Sequence, residues 1–483
     1  MSVLENYEPY KVFHYFEELC QIPHGSGNTR QISDHLVNFA ISHGFSYVQD
    51  DSNNVVIYKP ATPGYENAPT VILQGHMDMV CEKRPDVEHD FFKDGLKLLV
   101  RDGYLSADGT TLGGDDGIAL AYALAVLDSH DLPHPALEVL FTVDEEIGLL
   151  GAESFDCSVL KGRRMINLDS EKEGCLLTGC AGGLSGNSYL PVQRVGASGR
   201  VVSIRINGLT GGHSGAEIDK NRANANHLMG RLLFELCNYS GYALAELEGG
   251  QKDNAITREC TATVLSLPEE VENIYEFAHI LEQDLRREYA GSDEEITISV
   301  TDEGEADRMV LRPTSQEKVL FFLMNLPYGV QKMSSTISGL VETSCNPGIL
   351  KLTEDQLYMV TSVRSSVLTA RNALSRQIMY LTEFLGGEYL IDGVYPAWEY
   401  RKDSPLRDKM IAVYESMYHT KPLVTVIHAG LECGLFYEKM EDLDCISIGP
   451  NMEKIHTSEE RLELASVKRV WNYLTEVLKM LKD

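Results

Sequence analysis

Residues 112–146 read LGGDDGIALAYALAVLDSHDLPHPALEVLFTVDEE, and this stretch decides the fold class. Positions 117–128 are apolar almost throughout and long enough for a buried helix. Positions 137–142, LEVLFT, form a short apolar run that reads as a buried strand. Helix followed by buried strand is the repeating unit of a layered α/β domain. The alternation extends upstream and downstream, with amphipathic helices at 10–20 and 29–42 and strands at 54–58, 70–73 and 165–168. At least part of the sheet is therefore expected to be parallel.

Length and composition set the frame. A chain of 483 residues exceeds one compact core and calls for two or three domains. The apolar (43%) and charged (24%) fractions are those of an ordinary soluble globular protein. A net charge of −30 argues against nucleic acid, whose phosphates need a basic face, and against an anionic membrane. Solubility accounts for this acidity better than a basic partner does. Met1-Ser2-Val3-Leu4-Glu5-Asn6 has no basic region leading into an apolar stretch, so no secretory signal is expected. The longest apolar run, 118–127, falls far short of the ~20 residues that span a bilayer. Ten cysteines without a Cys-x-x-Cys pair fit reduced thiols in a cytosolic protein. Cys175 and Cys180 are the closest pair, and they lack a histidine in zinc-finger spacing.

The pattern changes after Gly179-Cys180-Ala181-Gly182-Gly183. Positions 201–206 alternate apolar and polar residues, as in a sheet with one solvated face. Helix patterns follow at 222–237, 274–289 and 370–384, with strands at 296–300 and 358–363. Helices on an antiparallel sheet make a separate α+β domain, placed at 186–396. From Pro405 the α/β character returns, with a helix to 418, strands at 424–427 and 445–448, and a closing helix at 464–481. No short internal repeat is present, which excludes a solenoid.

Five short stretches carry candidate metal chemistry: Gln74-Gly75-His76-Met77-Asp78, Leu112-Gly113-Gly114-Asp115-Asp116, Asp144-Glu145-Glu146, Asn167-Leu168-Asp169-Ser170 and Lys454-Ile455-His456. Most follow an apolar run or open a helix, so the fold can gather them at one sheet edge. Taken singly, each has an ordinary explanation. His-x-Asp is a polar strand end, either of Asp115 and Asp116 is a helix N-cap, and paired glutamates are a solvated strand end. Asp169 alone is a loop acid and His456 an exposed loop histidine. Together they supply the imidazoles and carboxylates that a catalytic divalent cation takes. Asp78 shares a face with His76 and can fix its tautomer. One of Asp115 and Asp116 can bridge two cations. One of Glu145 and Glu146 can bind metal while the other stays free as a general base.

With these motifs the sequence resembles the di-metal peptidases related to aminoacylase and glutamate carboxypeptidase, and within them the bacterial aminoacyl-histidine dipeptidase branch. The likeness covers nearly the whole chain. It includes Thr110-Thr111-Leu112-Gly113, Asp169-Ser170-Glu171, Gly179-Cys180-Ala181-Gly182-Gly183 and Gly211-Gly212-His213-Ser214-Gly215. The resemblance implies a discontinuous catalytic α/β domain, 1–185 with 397–483, carrying a co-catalytic di-metal site and interrupted by an inserted lid at 186–396. It implies His76 and Asp169 on one cation, Glu146 and His456 on the other, and Asp115 bridging them. Asp78 would orient His76, and Glu145 would be the general base. The lid would contribute His213 to the tetrahedral intermediate, and Asn254 and Arg364 to the substrate. His428 and Glu432 would line the pocket.

The activity implied by the resemblance is that of a cytosolic dipeptidase cleaving Xaa-His and other unblocked dipeptides. It would use two divalent cations per subunit, zinc foremost with manganese or cobalt as alternatives, and would form a homodimer through the lid. Deacylation of N-acyl amino acids and a non-catalytic metal-binding homologue are the alternatives. No Gly-x-Ser-x-Gly or phosphate-binding Gly-Lys-[Ser/Thr] loop points to another hydrolytic chemistry. The chain departs from the branch at Gly114 and Asp116, where alanine and asparagine are expected. It also departs around His24, with little expected bearing on the site.

Overall fold

The computed structural model describes residues 3–482. The chain forms two compact units. One comprises Met1–Cys180, Trp398–Val426 and Leu431–Asp483, the other Ala181–Ala397 and Ile427–Gly430. The passages between units thus fall at 180/181 and 397/398. A second short excursion at 427–430 had no counterpart in the sequence pattern.

The first unit is built on an eight-stranded sheet. Its order is Ser46–Gln49, Val55–Lys59, Leu137–Thr142, Val71–His76, Arg164–Asn167, Asp444–Ser447, Cys175–Cys180, Leu423–Ile427. The four strands from Leu137–Thr142 to Asp444–Ser447 run parallel. Ser46–Gln49 and Val55–Lys59 pair antiparallel at one end. Strands buried on both faces read as continuous apolar runs, which is why VILQGH and LEVLFT lack alternation.

Helix Gly114–Leu127 is buried along its whole length, packed on strand Val71–His76 and helix Tyr10–Leu19. Its first acids, Asp115 (φ −87°, ψ 104°) and Asp116 (φ −118°, ψ 31°), are not helical, so the regular helix begins at Gly117. A small antiparallel sheet, ordered Met452–Glu453, Arg461–Glu463, Tyr104–Ala107, Leu98–Arg101, joins the two ends of the unit.

The second unit has a nine-stranded antiparallel sheet. Its long ribbon pairs Arg194–Asn207 with Thr297–Leu311, and its far edge is Glu388–Tyr395. Ala225–Leu236, Val271–Glu288, Pro313–Asn325 and Leu368–Phe384 share one core with the sheet. Helix Pro313–Asn325 was not anticipated, although Pro at its first turn is a favourable start. Asn224 caps Ala225–Leu236 by accepting from the Asn226 and His227 N–H groups.

Candidate metal centre

Parallel strands deliver their following residues to one edge of the sheet, where α/β folds place their sites. His76 ends Val71–His76, Glu145 and Glu146 follow Leu137–Thr142, and Asp169 follows Arg164–Asn167. Asp115 arrives from the loop before its helix, and His456 from the loop within the small sheet.

The two carboxylate oxygens of Asp115 face opposite ways. Oδ1 lies 3.1 Å from His76 Nε2, and Oδ2 lies 3.1 Å from His456 Nε2. On the His76 side, Asp169 Oδ1 is 3.8 Å from Nε2. On the other side, Glu146 Oε1 is 3.1 Å from His456 Nε2. The described residues form three groups whose ligand atoms lie within 4.8 Å of one another: His76–Asp116–Asp169, His76–Glu145–Glu146 and Asp115–Glu146–His456. The donor set is all imidazole nitrogen and carboxylate oxygen, so the residues fit two divalent cations of the zinc, manganese or cobalt type.

Asp78 holds this cluster in two ways. Its carbonyl oxygen lies 3.0 Å from His76 Nδ1, and its carboxylate is 3.5 Å from the same nitrogen. The carboxylate also accepts from the backbone N–H groups of Glu145 and Glu146 at 3.0 and 3.3 Å, and from Ser26 Oγ at 2.7 Å. One side chain therefore sets both a histidine and the glutamate loop. The segment around His24, expected to matter little, supplies Ser26 here. His24 itself is buried, and that burial lowers its pKa against the opposing pull of the Ile22 carbonyl and Asp78.

Burial and charge crowding shape protonation at the centre. Burial disfavours the charged His76 ring, yet the Asp115 and Asp78 carboxylates hold its pKa well above the usual value. Asp115 and Glu146 raise His456 to about 10. Burial, with Glu432, Glu146 and Asp115 close by, raises Glu145 to about 8. Burial also raises Asp169 and Asp116, helped by their acidic neighbours. Asp115 goes the other way: burial would raise it, but the two histidines hold it well below the carboxylate range.

Asp116 is fully buried, its Oδ2 accepting from the His76 N–H at 3.2 Å and its Oδ1 without a partner. Beneath the cluster runs a buried chain of polar side chains. Asn167 donates to Gln74 Oε1 at 2.6 Å, and Gln74 and Thr142 donate to Glu432 Oε2 at 2.6 and 2.7 Å. Glu432, expected to line the pocket, is 0% exposed and belongs to this chain.

The remaining expected substrate residues sit in the second unit. His213 Nδ1 accepts from the N–H groups of Gly215 and Ala216 at 3.2 and 3.0 Å, which leaves the proton of the neutral ring on Nε2. Asn254 is exposed, and its carbonyl accepts from Ser214 N–H at 2.9 Å, next to His213. Arg364 is buried, donates to Tyr395 Oη at 2.7 Å and has no partner for Nε. His428 Nε2 lies 2.7 Å from Ser344 Oγ. Burial and nearby Arg364 lower its pKa to about 4, so its ring is neutral.

Glu460 was absent from every expectation, though it lies four residues after His456. Its carboxylate accepts from the backbone of the loop that carries Asp115. Nothing in a lone loop glutamate marks that role.

Residues 72–480 match the model of Peptidase family M20/M25/M40. Over 481 residues the chain is 34% identical to the cytosol non-specific dipeptidase of Escherichia coli (strain K12), covering 99% of each. The crystal structure of aminoacylhistidine dipeptidase from Vibrio alginolyticus superposes with a TM-score of 0.91 at 34% identity, covering 99% of this chain and 98% of that one. The aminopeptidase PepT of Bacillus cereus, at 16% identity and a TM-score of 0.57 over 99% of this chain and 100% of its own, shares the fold. The candidate dinuclear centre and these full-length matches agree: the chain belongs to peptidase family M20/M25/M40, as a homologue of the bacterial aminoacylhistidine and cytosol non-specific dipeptidases.

Proposed function

We propose that this protein is a metal-dependent dipeptidase that cleaves unblocked dipeptides, Xaa-His among them. The observation that carries the reading is Asp115, with one oxygen 3.1 Å from each of two imidazoles. His76, Asp169 and Asp115 would hold one cation, and Asp115, Glu146 and His456 the other. Two such cations supply Lewis acidity toward the scissile carbonyl and lower the pKa of an attacking water toward neutrality.

The chain's own groups do the rest. Glu145 takes the water's proton and passes it to the leaving amine, a task suited to a partly exposed carboxylate whose oxygens accept no described hydrogen bond. Asp78 keeps the His76 ring and the Glu145 backbone in register. His213, with its proton on Nε2, is a donor of the kind that a tetrahedral oxyanion needs. The Arg364 guanidinium suits the free carboxylate of a dipeptide, and Asn254 and His428 are further candidates for substrate recognition.

The exposed Leu390, Ile391 and Val394 on edge strand Glu388–Tyr395, beside exposed Tyr380 and Phe384, support a homodimer formed through the second unit. No described helix is long and apolar enough to cross a membrane. The full-length likeness to a cytosolic enzyme supports a cytoplasmic location.

The test is a dipeptide panel, including Xaa-His and Cys-Gly, offered to chelator-treated protein with and without zinc, manganese or cobalt. Metal-restored cleavage, with N-acetyl amino acids and longer peptides untouched, is expected. Cleavage of N-acetyl amino acids instead would move the reading to a deacylase. Folded protein inert under every metal would leave a binding role.

A further inference from the structure

Glu460 accepts four backbone hydrogen bonds from one loop. Its Oε2 takes the N–H groups of Leu112 and Gly113 at 2.8 and 3.2 Å. Its Oε1 takes those of Gly114 and Asp115 at 2.8 and 3.4 Å. The side chain is nearly sealed from solvent, at 3% exposure. Charge-assisted bonds of this kind are about twice as strong as neutral ones. Four of them partly offset the burial of a carboxylate that already has Asp115 for a neighbour.

The loop is shaped for this contact. A Cβ on Gly114 would stand 3.2 Å from Glu460 Oε1 and 3.4 Å from both Leu112 Cδ2 and Met452 Sδ. Gly114, one of the two departures in the bridging motif, therefore lets the carboxylate close onto the backbone. At its other end Glu460 terminates the loop that carries His456. Glu460 N–H donates to the Thr457 carbonyl at 3.1 Å, and Thr457 Oγ1 to the Lys454 carbonyl at 2.7 Å. One carboxylate thus ties the loop of Asp115 to the loop of His456.

We propose that Glu460 is a positioning residue that sets the separation of Asp115 and His456, and so the affinity of the cation those two share with Glu146. It touches neither substrate nor reacting atoms. The proposal rests on the two-cation reading above. The expected effect is asymmetric. The cation on the His76 side shares only Asp115 with this tie and keeps His76 and Asp169. The one on the His456 side loses the alignment of both Asp115 and His456.

The experiment is a zinc titration of chelator-stripped wild type and Glu460→Gln against a chromophoric competitor, paired with cobalt absorption spectra. Glutamine keeps the size but turns an amide N–H₂ toward backbone donors. One site should weaken by about tenfold or more in the variant, the range of losses when a supporting partner of a metal ligand is removed. The other site should stay within about threefold, and only part of the cobalt spectrum should change. At limiting zinc kcat should fall and recover with excess zinc, while KM for a dipeptide holds.

Two unaltered affinities in folded Glu460→Gln, or equal weakening of both, would overturn the proposal. If that variant does not fold, Glu460→Asp takes its place, because the shorter side chain cannot reach all four backbone donors. It should weaken the same site alone, and unchanged sites would overturn the role equally. Wild type that takes up no zinc defeats the two-cation reading itself. Wild type with two ions beside an unaffected variant defeats only the role of Glu460.

Discussion

Glu145 and Asp116 are neighbours in charge but differ in what they can do. Glu145 is only partly buried, and its oxygens accept no described hydrogen bond that would commit them, so it can exchange a proton with substrate. Glu145→Gln preserves shape and removes the base, and kcat should fall by about 10²–10⁴-fold. Bound metal, measured by elemental analysis, should stay at the wild-type level. Retained turnover would remove Glu145 from the reaction. Asp116 is sealed, with Oδ2 already accepting from the His76 N–H. Burial and the adjacent Asp115 favour its neutral form, which an asparagine imitates. Asp116→Asn should therefore leave zinc affinity and kcat within about threefold. A loss of about a hundredfold in zinc affinity would instead make it a ligand.

At the scale of elements, the centre depends on how closely strand Val71–His76 approaches helix Gly114–Leu127. A Cβ on Gly75 would lie 2.5 Å from Ala119 Cβ and 2.7 Å from Asp116 Oδ2. Gly75→Ala should cost about 1–3 kcal/mol of stability through overpacking, read as a lower urea midpoint, and should loosen zinc by displacing His76. An unchanged midpoint would mean that the helix shifts freely.

The same elements explain what the sequence disclosed. Residues 118–127 are apolar without interruption and 137–142 nearly so, so the buried helix and the central strand were legible from the length and composition of the runs. His76, Glu145, Glu146 and Asp169 were legible because they end or follow strong strands, and Asp115 and Asp116 because they open the buried helix. Strands Leu98–Arg101, Tyr104–Ala107, Met452–Glu453 and Arg461–Glu463 are only two to four residues long, too short to carry a period. They bring His456 and Glu460 to Asp115, so the resemblance alone paired His456 with Asp115, and the part of Glu460 was invisible. Ser26 escaped for a similar reason: a lone serine has meaning only once folding sets it against Asp78.

For the molecule as a whole, the acidic surplus makes stability, protons and cations interchangeable. The chain carries −30 overall, and several of its buried acids gather at one sheet edge. Burial and acidic neighbours raise Glu145 to about 8 and Glu171, Glu432 and Glu460 to about 7, from a reference of 4.5. His456 rises from 6.5 to about 10. Each folded pKa exceeds its unfolded value. The stability each contributes is thus full below the unfolded value and is lost as pH rises through the folded one. Chelator-stripped protein should weaken steadily between about pH 5 and 9. Asp115 and Asp78 have depressed values, so their contribution is lost only at more acid pH. Divalent cations take the place of those protons, and binding releases them. The melting temperature gained on adding zinc should therefore grow with pH. At pH 8.5, with zinc at about 100 times Kd, ligand linkage gives about 2.7 kcal/mol per site, a rise of about 3 °C for a chain of this length. At pH 5.5 the rise should shrink to less than about half of that, because protons still occupy the cluster. Thermal scans of stripped protein with and without zinc at pH 5.5, 7 and 8.5 would measure it. An equal gain at all three would mean that zinc binds without displacing protons, and hence that the carboxylates gathered around Asp115 are not its ligands.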